Sequence, residues 1–189
     1  MKTIKENINN KIIINKSEFI CELIKVYNLE QVKQELEQIK NKYKDATHYC
    51  YAYIINENKK SSDDGEPGGT AGVPIMETLN QYNLDNVLCI VIRYFGGIKL
   101  GAGGLVRAYR KAVNDCIKKI ELKELIKGYQ IIIEVPYEDQ KDLEYNLKYK
   151  YTKDYKEKVI YTIECDKETK EQIKNKYKLL DEKEKVIEI

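Results

Sequence analysis

The sequence lacks several features, and each shortage excludes a class of protein. No segment approaches the ~18 consecutive apolar residues that a membrane-spanning helix needs, so no span is expected. Residues 1–10 carry charges but no apolar segment, which predicts no secretory signal and a cytoplasmic location. The five cysteines are odd in number and include no C-x-x-C pair. They therefore fit buried, reduced thiols better than a disulfide framework or a zinc site.

Glycine and arginine are scarce everywhere except in one window. All ten glycines lie between Gly65 and Gly128, and the three arginines, Arg93, Arg107 and Arg110, lie in the same stretch. Elsewhere the positive charge comes from lysine. Glycine tolerates a positive φ and a close backbone approach, and arginine offers a planar fork of donors that lysine does not. The window is therefore the first place to look for a functional site.

The hydrophobic pattern before Gly128 predicts a mixture of strands and helices. The predicted elements are a hairpin or bent strand pair over 11–26 around Asn15 and Lys16, a helix capped by Asn28, a strand over 47–55, a loop over 56–69, a short helix capped by Thr70, a buried strand over 87–94 and a helix from Leu105. We expect this mixed segment to form one domain.

After Gly128 the pattern restarts without glycine or arginine. Its order is β-α-β-β-α-β, which is typical of a ferredoxin-like domain. Residues 1–128 hold 20 Lys and Arg against 16 Asp and Glu, whereas residues 129–189 hold 13 against 15. The overall charge of +2 therefore hides a basic first part and an acidic second part. We predict an α+β protein with two domains, 1–128 and 129–189.

A strand, a glycine loop and a helix follow one another from Arg93 to Arg110. Backbone N–H groups at the start of a helix favour an anion such as phosphate. The candidate residues for binding an anion or a nucleic acid are Arg93, Gly96, Gly97, Lys99, Gly101, Gly103, Gly104, Arg107 and Arg110. The spacing is neither a Walker A motif nor a sound dinucleotide fingerprint. The alternative is that the glycines only permit a tight turn and close helix packing.

A second loop clusters three carboxylates, Asp63, Asp64 and Glu66. Oxygen ligands at this spacing can hold Mg²⁺ or Ca²⁺, or serve acid and base chemistry. They can equally build a solvated turn, or a clasp that pairs with the arginines. The sequence leaves the metal question open.

The strand over 47–55 carries two further groups of interest. His48, the single histidine, lies two residues from Cys50, but no third group that would orient a nucleophile is evident, so we assign no catalytic residue. Tyr49, Tyr51 and Tyr53 are two residues apart and therefore lie on one face of the strand. Their rings can stack on nucleic-acid bases, or they can simply contribute to packing on the sheet.

Three long motifs carry a family resemblance. The segments 46–53 (ATHYCYAY), 62–72 (SDDGEPGGTAG) and 93–109 (RYFGGIKLGAGGLVRAY), with KSEF at 16–19, resemble the signature of the Impact/YigZ family of translation-linked proteins. This chain has Gly68 where the family usually has serine, and Val73 where a basic residue is common. These changes remove a hydroxyl and a possible phosphate contact. Residues 129–189 match the family's smaller domain by pattern only.

The resemblance implies a fold and a function. The first domain would have the ribosomal-protein-like α/β sandwich of the fourth domain of elongation factor G, and the second would be ferredoxin-like, similar to that factor's last domain. Both modules commonly meet RNA on the ribosome. Eukaryotic relatives regulate translation initiation by competing within the general-control kinase pathway.

Three functional hypotheses follow. The first is a non-enzymatic binding module linked to translation, which contacts RNA or the ribosome through the glycine and arginine loop, with a translation-associated protein as a further partner. This hypothesis involves no cofactor, no membrane and no recognition of a DNA sequence. The second is an enzyme that binds a phosphorylated small molecule or a nucleotide with Mg²⁺. The third is a scaffold that binds only protein.

Overall fold

A computed structural model describes the whole chain, Met1–Ile189, and the chain forms two compact units, Met1–Lys123 and Glu124–Ile189. The division falls five residues before the predicted boundary at Gly128, because the strand that opens the second unit already begins at Leu122. Gly128 lies inside that strand, where an added Cβ would stand 2.7 Å from the carbonyl oxygen of Cys165. The glycine therefore serves close packing within a sheet, not a linker.

The first unit contains six strands and three helices. They are β1 (Lys2–Ile4), β2 (Ile8–Ile14), β3 (Ser17–Lys25), α1 (Leu29–Lys42), β4 (His48–Ile55), β5 (Asn58–Ser62), α2 (Gly72–Gln81), β6 (Val87–Tyr94) and α3 (Gly101–Ile117). Five of the strands form an antiparallel sheet in the order β2-β3-β6-β4-β5. The central strand, β6, is buried over almost its whole length, as its apolar run predicts.

Helices cover both faces of this sheet. On one face α2 and α3 pack against alternate strand residues such as Phe19, Cys50 and Val91. On the other face α1 packs against the intervening residues, including Leu88 and Ile90. The period of two along each strand thus gives each face its own apolar cluster.

One predicted turn and one predicted helix cap are confirmed, and the predicted loop over 56–69 is partly wrong. Asn15 and Lys16 have positive φ angles in the β2–β3 turn, and the Asn28 side chain accepts a hydrogen bond from the N–H of Gln31 at the start of α1. Residues 58–62 form β5 instead of a loop. The polar sequence of β5 carries no strand signal, and the strand exists because Asn56 turns the chain back along β4.

The second unit is one sheet with two helices. It contains β7 (Leu122–Val135), α4 (Gln140–Asn146), β8 (Tyr151–Tyr155), β9 (Val159–Cys165), α5 (Lys167–Lys176) and β10 (Lys178–Glu188). The strand order β10-β7-β9-β8 is that of a ferredoxin-like domain, in which the first strand lies between the third and the fourth. Alternate residues of β7 and β9 form a separate apolar cluster with Leu143 and Ile173 of the helices. The α+β class with two domains is therefore confirmed.

No helix in the structure combines the length and the apolar character that crossing a membrane would require.

Candidate functional site

The acidic loop turns its first carboxylate inward. Asp63 accepts hydrogen bonds from the N–H groups of Gly69, Ala71 and Gly72, at 2.8–3.0 Å, where α2 begins. Burial opposes ionisation, but these three donors hold the pKa of Asp63 below its usual value. Asp63 therefore caps α2. The prediction that Thr70 caps it is wrong, because the Thr70 hydroxyl donates to the carbonyl of Pro67.

Asp64 fixes the loop to strand β4. Its carboxylate accepts a hydrogen bond from the N–H of Tyr49 at 2.6 Å, and its carbonyl oxygen lies 2.8 Å from Nδ1 of His48. Asp64 has a positive φ of 42°, which aspartate tolerates better than most residues. The backbone of β4 and the ring of His48 thus hold this part of the loop.

Glu66 is the buried centre of the loop. Its Oε1 accepts a hydrogen bond from Arg93 at 2.6 Å and another from the hydroxyl of Tyr109 at 2.7 Å. The Glu66 and Arg93 side chains are only 3% and 6% exposed, so this is a buried ion pair. The other oxygen of Glu66 lies 3.8 Å from Nε2 of His48. Glu66 therefore ties the loop to β6, α3 and β4 together.

Arg93 was predicted to bind an anion, but the structure places it in the interior. Its guanidinium lies over the rings of Phe19 and Phe95, 5.4 and 5.5 Å from their centroids, and donates to the hydroxyl of Ser17. Strand β6 is the centre of the sheet, which explains why a residue at position 93 is covered. Arg93 therefore packs beneath the acidic loop, and its role in binding an anion stays a prediction.

The Cys50 thiol lies beside this buried network and is not prepared for nucleophilic chemistry. It donates a hydrogen bond to the carbonyl oxygen of Asp63 at 2.9 Å. Burial raises the pKa of Cys50 to about 12, so the thiol stays protonated at neutral pH. Burial likewise raises the pKa of Tyr109 well above its usual value.

The structure contains no group of three or more His, Cys, Asp or Glu side chains arranged to hold a metal ion. The carboxylates of the acidic loop instead have the partners described above. Of the alternatives for this loop, the observed contacts are those of a clasp. The loop forms an ion pair with one arginine, Arg93, and accepts hydrogen bonds from the N–H groups at the start of α2.

The glycine loop between β6 and α3 contains glycines of two kinds. At Gly96 an added Cβ would lie 2.0 Å from the carbonyl carbon of Lys16, so only glycine fits against the β2–β3 turn. Gly97 and Gly101 have positive φ angles of 84° and 69° and open space around them. Gly103 has no backbone neighbour within 4 Å of an added Cβ. The loop thus needs glycine at position 96 for close packing, and at positions 97 and 101 for a backbone conformation with positive φ.

The start of α3 has no side-chain cap. Its N-cap residue, Leu100, makes no capping hydrogen bond, and Gly101 to Gly104 form the first turn. The first N–H groups of a helix have no partner within the helix, so they remain available to an acceptor from outside. The exposed N–H groups at a helix start agree with the sequence analysis, but the helix begins at Gly101, four residues before the predicted Leu105.

Of the predicted cations, two stand at this helix start without a carboxylate. Lys99 and Arg107 are exposed and make no ion pair, whereas Arg110 pairs with Glu77 on the surface of α2. Lys16 is a further cation that the sequence did not predict as a site residue. It is exposed, and its backbone packs directly against Gly96. Two sequence signals could have found Lys16: its place in the predicted turn at Asn15 and Lys16, and its place in the KSEF segment that carries the family resemblance.

Tyr49, Tyr51 and Tyr53 lie on the sheet face that α1 covers. All three are partly buried and pack against the apolar cluster on that face. The hydroxyl of Tyr49 donates to the carbonyl of Tyr43. Their role as a stacking surface for bases stays a prediction.

The fold and site define a two-domain α+β protein with a glycine-rich, uncapped helix start that a buried ion pair supports. The model of the Impact N-terminal domain matches residues 15–117, more than half of the chain. The chain therefore belongs to the Impact N-terminal domain family. The match spans every residue of the site just described.

Individual relatives agree with this assignment. The chain is 47% identical over 125 residues to the IMPACT family member YvyE of Bacillus subtilis. The aligned residues cover 65% of this chain and 58% of the relative. It is 38% identical over 112 residues to YigZ of Escherichia coli, covering 57% and 55%. The chain thus spans about half the length of these curated relatives. A crystal structure of a protein described as hypothetical superposes with a TM-score of 0.65 over 95% of both chains, at 26% identity.

Proposed function

We propose that this protein is a non-enzymatic binding module that acts on translation by contacting structured RNA or the ribosome. The contact surface consists of Lys16, Lys99 and Arg107 with the N–H groups at the start of α3. We call it the α3 basic surface. The ligand groups that it recognises are phosphates of the RNA backbone.

One observation carries the proposal. The carboxylates of the acidic loop bind Arg93 and backbone N–H groups, so they do not neutralise the charge of Lys99 or Arg107. Free cations therefore stand beside an uncapped helix start, which is itself attractive to anions. Phosphate contacts from lysine, arginine and helix N-termini position proteins on nucleic acids.

An exposed apolar pair in the same loop supports RNA over a small phosphate. Phe95 is 47% exposed and Ile98 is 42% exposed. Unpaired bases stack on aromatic rings of this kind, and such stacking contributes to binding single-stranded RNA. A phosphorylated small molecule that carries no base offers these side chains no stacking partner. Membership of a family whose eukaryotic members regulate translation supports the link to translation.

The test is co-sedimentation of the full chain with ribosomes and with structured RNA across a salt series. Affinity should fall with salt because bound counterions are released. The double variant Lys99→Ala, Arg107→Ala should reduce the slope of log affinity against log salt by about two, because each phosphate that is no longer neutralised accounts for roughly 0.9. Arg93 is left unchanged, because its loss would damage the fold.

The matched control is the double variant Lys111→Ala, Lys118→Ala, which removes the same charge from the second half of α3 and from its C-cap residue. Lys111 already pairs with Asp115, so this variant should keep the slope of the unmodified protein. If both double variants bind and respond to salt identically, the α3 basic surface is not the contact. Salt-resistant capture of a protein without RNA would instead support the scaffold hypothesis.

A further inference from the structure

Strand β8 is an uncovered edge of the sheet in the second unit. The sheet order ends at β8, and all five of its residues are exposed. An edge strand presents unpaired N–H and C=O groups to any strand that can pair with it. Covering this edge is independent of the function proposed above.

The phase of the ladder shows which groups point outward. The carbonyl of Lys150 accepts a hydrogen bond from the N–H of Glu164, which lies directly opposite, so Lys150 points its backbone groups toward β9. Hydrogen-bonding direction alternates along an antiparallel strand. The backbone groups of Tyr151, Lys153 and Tyr155 therefore point away from the sheet.

We propose that β8 pairs antiparallel with β8 of a second copy of this chain, about a two-fold axis through Thr152. In this register Tyr151 faces Lys153 of the second copy, and their outward backbone groups form the ladder. Lys150 faces Asp154 of the second copy, and the reciprocal pair completes the symmetry. An isologous contact of this kind needs a self-complementary surface, which the sequence of β8 supplies.

Charge selects this register over those centred further toward the C-terminus of β8. An axis through Lys153 would place two lysines opposite each other, and an axis through Asp154 would oppose two aspartates. Like charges directly opposite are destabilising in a sheet, and opposite charges are stabilising. The ion pair that Asp154 makes with Lys156 joins two highly exposed side chains at 3.6 Å, so Asp154 remains able to take a new partner.

Exposed tyrosines flank the same edge. Tyr155 is 57% exposed and stacks on Tyr137, which is 48% exposed. Tyrosine is enriched at protein interfaces because it joins apolar area to a polar hydroxyl. These rings add contact area that a five-residue ladder alone lacks.

The test measures association of the full chain by sedimentation velocity from micromolar to millimolar concentration. The unmodified protein should show a concentration-dependent dimer. Lys150→Asp places aspartates opposite each other, and Asp154→Lys does the same with lysines, so each variant should weaken the dimer roughly tenfold. Mixing the two variants restores both charge pairs, and the mixture should dimerise as the unmodified protein does.

Matched controls come from the opposite edge strand, β10. Lys183→Asp and Glu184→Lys carry the same charge changes at exposed positions, and they should leave the dimer unchanged. Circular dichroism of each variant verifies its fold. A protein that stays monomeric at the highest concentration overturns the proposal and leaves the edge to a different chain. Single variants that dimerise normally, or a mixture that recovers nothing, also overturn it.

Discussion

Glu66 accepts hydrogen bonds from two buried side chains, and its charge balances that of Arg93. Glu66→Gln keeps the size of the side chain but leaves the guanidinium buried without a counter-charge. Breaking a buried ion pair from one side costs about 3–5 kcal/mol, so we expect a similar loss in the free energy of unfolding. Urea denaturation measures it. The control Glu57→Gln changes an exposed turn residue and should lie within about 0.5 kcal/mol of the unmodified protein.

A glutamine variant as stable as the unmodified protein would mean that Arg93 does not depend on Glu66. The sequence offered a pairing of the acidic loop with the arginines, but it could not predict that Glu66 pairs with Arg93. Glu66 and Arg93 are 27 residues apart, and only the fold of β6 beneath the acidic loop brings them together. The sequence left the clasp open as one of several interpretations, and it did not predict the burial of the arginine.

Gly96 allows the glycine loop to lie on the β2–β3 turn. Gly96→Ala would place a methyl group 2.0–2.1 Å from the carbonyl carbon and oxygen of Lys16, so the turn or the loop must move. We expect a loss of at least about 2 kcal/mol, typical of overpacking against a rigid backbone. The same methyl at Gly68, which has open space and no positive φ, should cost less than about 0.5 kcal/mol. Equal melting temperatures for the two variants would contradict this interpretation.

At the scale of the element, Asp63 joins the acidic loop to α2. Its folded pKa is depressed below the usual 3.8 because three N–H groups donate to the carboxylate. The stability that it contributes is therefore present above the unfolded pKa and is lost as pH falls through the folded pKa. Asp63→Asn should cost about 1–2 kcal/mol at pH 7, as for a lost helix cap. The difference between the two proteins should shrink as the pH falls from about 5 to below the folded pKa.

Thermal melts at pH 7 and at pH 3 measure both quantities. The exposed turn variant Asp45→Asn serves as a control, and at pH 7 it should lie within about 0.5 kcal/mol of the unmodified protein. A stability gap for Asp63→Asn that stays constant from pH 7 to pH 3 would show that the charge of Asp63 does not matter to the cap.

Some elements follow from local sequence features, and others depend on residues that are distant in the sequence. Helix α1 and strand β6 were predictable, because an N-cap at Asn28 and a nearly continuous apolar run at Val87–Tyr94 are local features. Strand β5 and the cap of α2 were not. The partner of β5 is the backbone of β4, and the cap of α2 comes from Asp63, nine residues before the helix begins. The local sequence pattern does not predict a hydrogen bond between residues that far apart in the chain.

At the scale of the whole molecule, each unit has its own apolar packing and its own buried cysteines, whose reaction with thiol reagents can report unfolding. Cys21, Cys50, Cys89 and Cys116 are buried in the first unit, and Cys165 is buried in the second. Burial raises the pKa of Cys165 to about 11, so at pH 8 this thiol is both covered and protonated. Thiol reagents should therefore label the native protein very slowly, and labelling in urea reports unfolding of each unit separately.

Gly96→Ala strains only the first unit, because Gly96 and Lys16 both belong to it. In pulsed thiol labelling read by mass spectrometry, the variant should lower the urea midpoint for the four cysteines of the first unit. The midpoint for Cys165 should stay within error, because the core around Cys165 shares no residue with the cores of the first unit. Cys165→Ser, labelled in parallel, identifies its signal. A common shift of all five cysteines would mean that the two units unfold as one.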